Sequence, residues 1–241
     1  MCLLCVDPKF WAGIQFFEEL STGSAFSHKP ATKMSLNACF SQAFFFGVEM
    51  DVLYKAASLF KELLNTEYVF VLGKKNVKAT IHLIFQERHF PHLAGLQHLP
   101  DLVFLKQDNR IIFNKIINRS IKIEDIKKSL FYKNIEQRVA ALPSLQAFLD
   151  SNKTIFKYNK RNNNFSLIDA DYLLENTSEK QTIYIFLAEN QDDNFFCRSF
   201  FPKEKRDYSV GQEKWTLLFK KKIDKSTNTE EILFRHKNFR G

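Results

Sequence analysis

Tyr68-Val69-Phe70-Val71-Leu72-Gly73-Lys74-Lys75-Asn76-Val77-Lys78-Ala79-Thr80-Ile81-His82-Leu83-Ile84-Phe85-Gln86 is the stretch whose reading decides the fold. Its first five residues are β-branched or aromatic with one leucine. Gly73 to Asn76 is a turn cluster, and Val77, Ala79, Ile81, Leu83 and Phe85 then alternate with mostly polar neighbours. Two such runs joined by such a cluster predict a β-hairpin. In this register His82 falls on the face opposite Ile81 and Leu83, toward solvent.

Before the hairpin, Val52, Leu53, Ala56, Leu59, Phe60, Leu63 and Leu64 recur at three- and four-residue spacing, which predicts an amphipathic helix from about Met50 to Asn65. After it, helices are predicted over Asn109 to Asn118 behind the cap Asp108, over Ile123 to Tyr132, and over Asn134 to Asp150. Pro143 should kink or split the last of these. Beyond Asn152 the pattern changes to short alternating runs: Thr154 to Tyr158, Phe165 to Ile168, Thr182 to Leu187, Asn194 to Phe201, Trp215 to Lys221 and Ile232 to Phe234. Asp169 and Asp171 either share a face of extended chain or cap a short helix over Tyr172 to Glu175. The class is therefore α+β, with N-terminal helices packed on a C-terminal antiparallel sheet that the hairpin joins or flanks.

Residues 1–49 read as an N-terminal extension with weak helical pieces at Phe10 to Leu20 and Leu36 to Val48, and residues 50–241 as the α+β domain. The chain has 241 residues, 45% hydrophobic with 26 Phe, enough to bury a core, and its 7 Gly and 6 Pro exclude collagen-like or low-complexity architecture. Four cysteines, Cys2, Cys5, Cys39 and Cys197, are too scattered for a disulfide scaffold, so a reducing cytoplasm is expected. Met1 to Val6 lacks a basic lead, and no apolar run is membrane-length, so neither a secretion signal nor a membrane partner is expected. Dinucleotide-binding glycine phrases, Walker loops and Gly-x-Ser-x-Gly elbows are missing from the sequence, which disfavours oxidoreductases, nucleotide-driven motors and serine hydrolases.

Chemistry concentrates in two places. Four of the six histidines, His82, His89, His92 and His98, lie within one short segment, and imidazole alone titrates near neutrality when unperturbed. Between Phe195 and Lys222 stand eight cations (Arg198, Lys203, Lys205, Arg206, Lys214, Lys220, Lys221, Lys222) and three acids (Glu204, Asp207, Glu213), with aromatic rings between them. Cations that track phosphates and rings that stack on bases suit single-stranded nucleic acid, while an amphipathic strand with lysines on its wet side explains the same pattern. The net charge of +8 agrees with an anionic partner.

At these segments the chain resembles phage-type nucleases of the barnase, EndoU, colicin and RelE superfamily. The phrases that carry the likeness are His89-Phe90-Pro91-His92-Leu93-Ala94-Gly95-Leu96, Asp169-Ala170-Asp171-Tyr172-Leu173-Leu174, and Phe196 through Tyr208, and it extends over roughly Met50 to Phe234. The resemblance implies an α+β nuclease domain of a phage or other bacterial mobile element, a toxin or host-directed effector, with RNA and an inhibitor or host protein as partners. Metal-independent RNA cleavage needs a base for the ribose 2′-OH, an acid for the leaving 5′-oxygen and cations on the phosphate. His89 and His92 are the candidates for the first two roles. Arg198 and Arg206 are the preferred phosphate pair, because a guanidinium binds an anion in a bidentate fork. Ser199, Lys203, Lys205, Tyr208 and Lys214 complete the expected RNA-binding set, with no cofactor and no metal. Two other readings stand: His89 and His92 as helix-capping residues on a non-catalytic binding or interaction module, and His89, His92 and His98 as zinc ligands.

Overall fold

The structure, a computed structural model, describes residues 51–163, 165–177 and 181–240. The helical pieces expected near Phe10 and Leu36, and the Cys2 and Cys5 pair, lie outside the described residues. The first helix, α1 (Val52–Leu63), begins where the Asp51 carboxylate accepts the backbone N–H groups of Leu53 at 2.9 Å and Tyr54 at 3.1 Å. The other oxygen of Asp51 takes the N–H of Ile123 at 2.9 Å, so one side chain starts two helices. The strands β1 (Thr66–Lys74) and β2 (Val77–Ile84) form the expected hairpin, and Lys75 and Asn76 supply the two positive φ angles, 44° and 67°, of its turn. Gly73 serves a different purpose. A Cβ there would lie 2.7 Å from Leu218 Cδ1, so its lack of a side chain lets a neighbouring strand approach.

Five more helices follow among the described residues: α2 (Phe90–Leu93), α3 (Asn109–Ile117), α4 (Ile123–Lys127), and the pair α5 (Glu136–Ala141) and α6 (Leu145–Ser151) separated by a 3-10 turn at Leu142–Ser144. Asp108 caps α3 through the Arg110 N–H at 2.8 Å, as expected, and Pro143 marks the split between α5 and α6. The helix expected over Ile123 to Tyr132 stops early. The Asp101 carboxylate captures the Ser129 hydroxyl at 2.6 Å and the Leu130 N–H at 2.9 Å, pulling that backbone out of helical pairing.

The remaining strands are β3 (Thr154–Lys157), β4 (Tyr172–Thr177), β5 (Thr182–Glu189), β6 (Phe195–Pro202), β7 (Glu213–Asp224) and β8 (Thr229–Arg235). Their pairing runs β1-β2-β6-β5-β4-β3-β7, and β7 pairs back onto β1, so seven strands close into a barrel-like ring with β8 attached to β7. The closure corrects the expectation of helices resting on a C-terminal sheet: the hairpin supplies two staves of the ring. All pairings are antiparallel except β2 with β6, a parallel contact at a single position, Leu83 opposite Phe195.

Two further expectations are overturned. Tyr172 to Glu175 is strand, not helix: Asp171 lies at a bend just before it and its carboxylate accepts the Glu189 N–H at 3.0 Å. Phe165 to Ile168 is irregular chain, because polar side chains hold its backbone in turns. Ser166 Oγ accepts the Tyr158 hydroxyl at 3.0 Å and the Ile168 N–H at 3.1 Å, and Asn163 Nδ2 donates to the Tyr208 carbonyl at 3.0 Å.

One core joins Leu53, Ala56 and Phe60 of α1 to Tyr68, Phe70 and Leu72 of β1 and Ile183, Ile185 and Leu187 of β5. The alternate residues of β5, Tyr184 and Phe186, belong to a second cluster with Tyr158 and Leu173, against which Phe201 and Tyr208 pack. Burial on both faces explains why β5 reads as a nearly continuous apolar run. No helix among the described residues is long and apolar enough to cross a membrane.

Candidate active site

The register of β6 against β5 slips by one residue. Phe186 lies opposite Ser199 and Leu187 opposite Cys197, so Arg198 has no partner and forms a β-bulge. Before the bulge, Phe195 and Cys197 point into the main core; after it, Phe200 does. The shift of phase sets Arg198 and Ser199 side by side on the other face. There they line a cleft of about 600 Å³, together with His92, Lys205, Arg206 and Tyr208.

The opposite wall comes from the helical half. After α2, Gly95 adopts φ 81° and turns the chain into a 3-10 turn, Leu96–His98. A Cβ on Gly95 would sit 3.0 Å from Arg138 Cδ and 3.2 Å from its Nη1, so the bare glycine makes room for the arginine of α5. His92, His98 and Arg138 thereby share the cleft, with Gln97, Gln137 and Lys133 at its margin. The lining holds five cations, Lys133, Arg138, Arg198, Lys205 and Arg206, against a single acid, Glu204. Such a surface draws anions.

The proton affinities follow from these neighbours. Burial, then the charges of Arg198 and Arg138, hold the His92 imidazole below its ordinary range, and hydrogen bonding to the Arg198 backbone opposes them. His98 is likewise lowered, by burial first and then by Arg138. Arg138 itself is brought down to about 10 by burial and so remains cationic at neutral pH. Its guanidinium lies over the Phe201 ring, 5.2 Å from the centroid.

Of the residues expected from sequence, His92, Arg198, Ser199, Lys205, Arg206 and Tyr208 come together in the cleft, whereas His89, Lys203 and Lys214 lie outside its lining. His89 stacks on Phe196 with ring centroids 4.9 Å apart, beside the β2–β6 contact, and its Nδ1 accepts the Gln86 N–H at 3.3 Å. Burial pushes its proton affinity down to about 4. Lys203 is paired with Asp207, whose carboxylate also accepts from the Tyr184 hydroxyl at 2.9 Å and the Ser209 hydroxyl at 2.6 Å. Burial works against the charge of Asp207, but the hydrogen bonds from Lys203, Ser209 and Tyr184 outweigh it and hold the carboxyl far below its usual range. This network fixes the loop that carries Glu204, Lys205, Arg206 and Tyr208. Lys214 is exposed on β7, and Lys220, counted among the cations of the basic segment, is buried.

Among the described residues no group of three or more His, Cys, Asp or Glu side chains is placed to hold a metal ion, which leaves the zinc reading of His89, His92 and His98 without an assembled ligand set. Sequence reasoning missed Arg138. Its signal was position: it falls three residues after buried Ile135 and four before buried Leu142, a cation on the edge of an apolar stripe.

Compared with protein-family models, residues 52–237 match one described as phage-Barnase-EndoU-ColicinE5/D-RelE like nuclease4. No curated protein and no solved structure matches the chain.

Proposed function

Since the chain belongs to the phage-Barnase-EndoU-ColicinE5/D-RelE like nuclease family whose model covers most of its length, we propose that it is a metal-independent endoribonuclease working in the cleft between β6 and the histidine segment. The observation that carries this reading is the convergence of His92 with Arg198 and Arg206 in one open, cationic cleft. RNA lies with a phosphodiester between the two walls. One imidazole takes the proton of the ribose 2′-OH, the freed oxygen attacks phosphorus, and the bond to the 5′-oxygen breaks as a second imidazole gives that oxygen a proton. Products end in a 2′,3′-cyclic phosphate and a 5′-hydroxyl. His92 takes one role. The second passes from His89, stacked against Phe196, to His98, which shares the cleft with His92.

Arg198 and Arg206 hold the phosphate oxygens as charge builds on them, with Ser199 and Tyr208 as neutral donors and Lys205 at the rim. The Phe165 ring, half exposed with the Arg206 guanidinium 4.6 Å over it, offers a face on which an unpaired base stacks. Because both cleft histidines bind protons more weakly than free imidazole, the acid limb of the pH–rate profile lies below the ordinary histidine value of about 6.5. The test is incubation of the full chain with total RNA in EDTA, followed by analysis of the new ends. Cyclic phosphate ends that vanish with His92→Ala support the reading. Intact RNA with bound protein would instead favour a binding module without turnover.

A further inference from the structure

Among the described residues, no carboxylate pairs with the charge of Arg138. Its Nε is covered and has no hydrogen-bond partner. Glu204 is close enough to be felt but not to pair. A largely buried, unpaired cation is costly, and Lys220, a buried cation among the described residues, is hydrogen-bonded through its Nζ. Arg138 is held in place all the same, between the Phe201 ring and the bare backbone of Gly95, on the wall of the cleft. Such an arrangement suits a group waiting for an anion.

We infer that Arg138 is the cleft's phosphate anchor, its guanidinium meeting a phosphate group of the bound chain from the wall opposite Arg198. This deepens the ribonuclease reading and rests on it for the identity of the ligand, but the anion site can be tested without RNA. Arg138 faces both cleft histidines, and its charge depresses both. The groups around His92 are Arg198 from β6, Arg138 from α5 and His98 from the 3-10 turn, all cationic or able to become so. An anion on Arg138 therefore also raises the proton affinity of the imidazoles beside it, and the substrate's phosphate helps protonate its own general acid.

The experiment is a titration of the full, isotope-labelled chain with inorganic phosphate, following the arginine Nε–H and imidazole resonances. The covered Nε–H of Arg138 is shielded from solvent exchange and reports directly. Expected are a saturable shift of that resonance and a rise in the His92 pKa on binding. Arg138→Gln should weaken phosphate binding about tenfold or more, the loss of one charged hydrogen bond, and raise the His92 pKa of the free protein. Arg138→Lys should fall between, keeping charge without the fork. An Arg138 resonance that stays still while phosphate shifts that of Arg198 overturns the anchor whether or not the variants fold, and so does wild-type phosphate affinity in a folded Arg138→Gln protein. Phosphate binding at Arg138 in a protein that cleaves no RNA leaves the anchor standing and removes the ribonuclease reading.

Discussion

Two cations among the described residues, buried Lys220 and Arg138 on the cleft wall, have opposite surroundings. Lys220 of β7 is 1% exposed, and its Nζ donates to the carbonyls of Leu149 at 2.8 Å, Asp150 at 2.6 Å and Asn152 at 2.8 Å. An ammonium has three protons, and all three are engaged where α6 ends and its carbonyls lack helical partners. Arg138 has a covered Nε with no hydrogen-bond partner, beside the Phe201 ring and the bare backbone of Gly95, and its guanidinium lines the cleft. A buried charge whose donors are all used belongs to the architecture. One whose donors are left over belongs to a ligand.

The most forceful way to break that contrast is to remove each charge in turn. Arg138→Met should lower RNA cleavage by about 10² to 10³, the usual effect of deleting one donor at a developing anion, while thermal melts show stability unchanged or higher. Lys220→Met strands three carbonyls and should cost about 2 to 4 kcal/mol in denaturant unfolding, with phosphate affinity unchanged. Equal destabilisation by the two would erase the distinction.

His89 and His92 sharpen it further. Three residues apart, one is stacked away from solvent and the other faces the cleft. The His89 value near 4 is below its unfolded value, so its contribution to stability is present above about pH 6.5 and is lost as pH falls toward 4, by up to about 3 kcal/mol at about 1.36 kcal/mol per unit. His89→Phe should flatten that acid slope, measured by urea unfolding between those pH values, and leave the cleavage mechanism intact. Loss of cyclic-phosphate products in a folded His89→Phe protein would return the catalytic role to His89. The smallest effect separates Lys203 from Lys205. Lys205→Ala should reduce the slope of RNA affinity against log salt by about one, and Lys203→Ala, whose partner is Asp207, by less.

Much of the fold could be read before the structure. Alternation gave the hairpin and most strands, three-and-four spacing gave α1, and Asp108 and Pro143 marked their boundaries correctly. The strand at Tyr172–Thr177 was hidden because its start carries aspartates that also suit a helix cap. Ring closure was hidden for a different reason: pairing of β1 with β7 joins residues some 150 positions apart, and no local pattern encodes it. Half of the cleft was legible in the same way. Histidines and cations announce themselves by type, but Arg138 reaches the cleft only because α5 packs against the Gly95 turn, a tertiary fact.

The bulge at Arg198 makes the site depend on a count as much as on residue types. β6 carries one residue more than the stretch of β5 it faces, and that surplus residue is the arginine. A scan that replaces side chains one at a time would find Arg198 important for its charge and would miss the rest. Excising the residue would close the bulge, and because Cys197 and Ser199 already face Leu187 and Phe186, Phe200 would stay in the core and Ser199 and Phe201 on the cleft face. The packing beneath would keep its phase while the cleft lost both the arginine and the local bend that presents it, a separation that no substitution at that position reproduces.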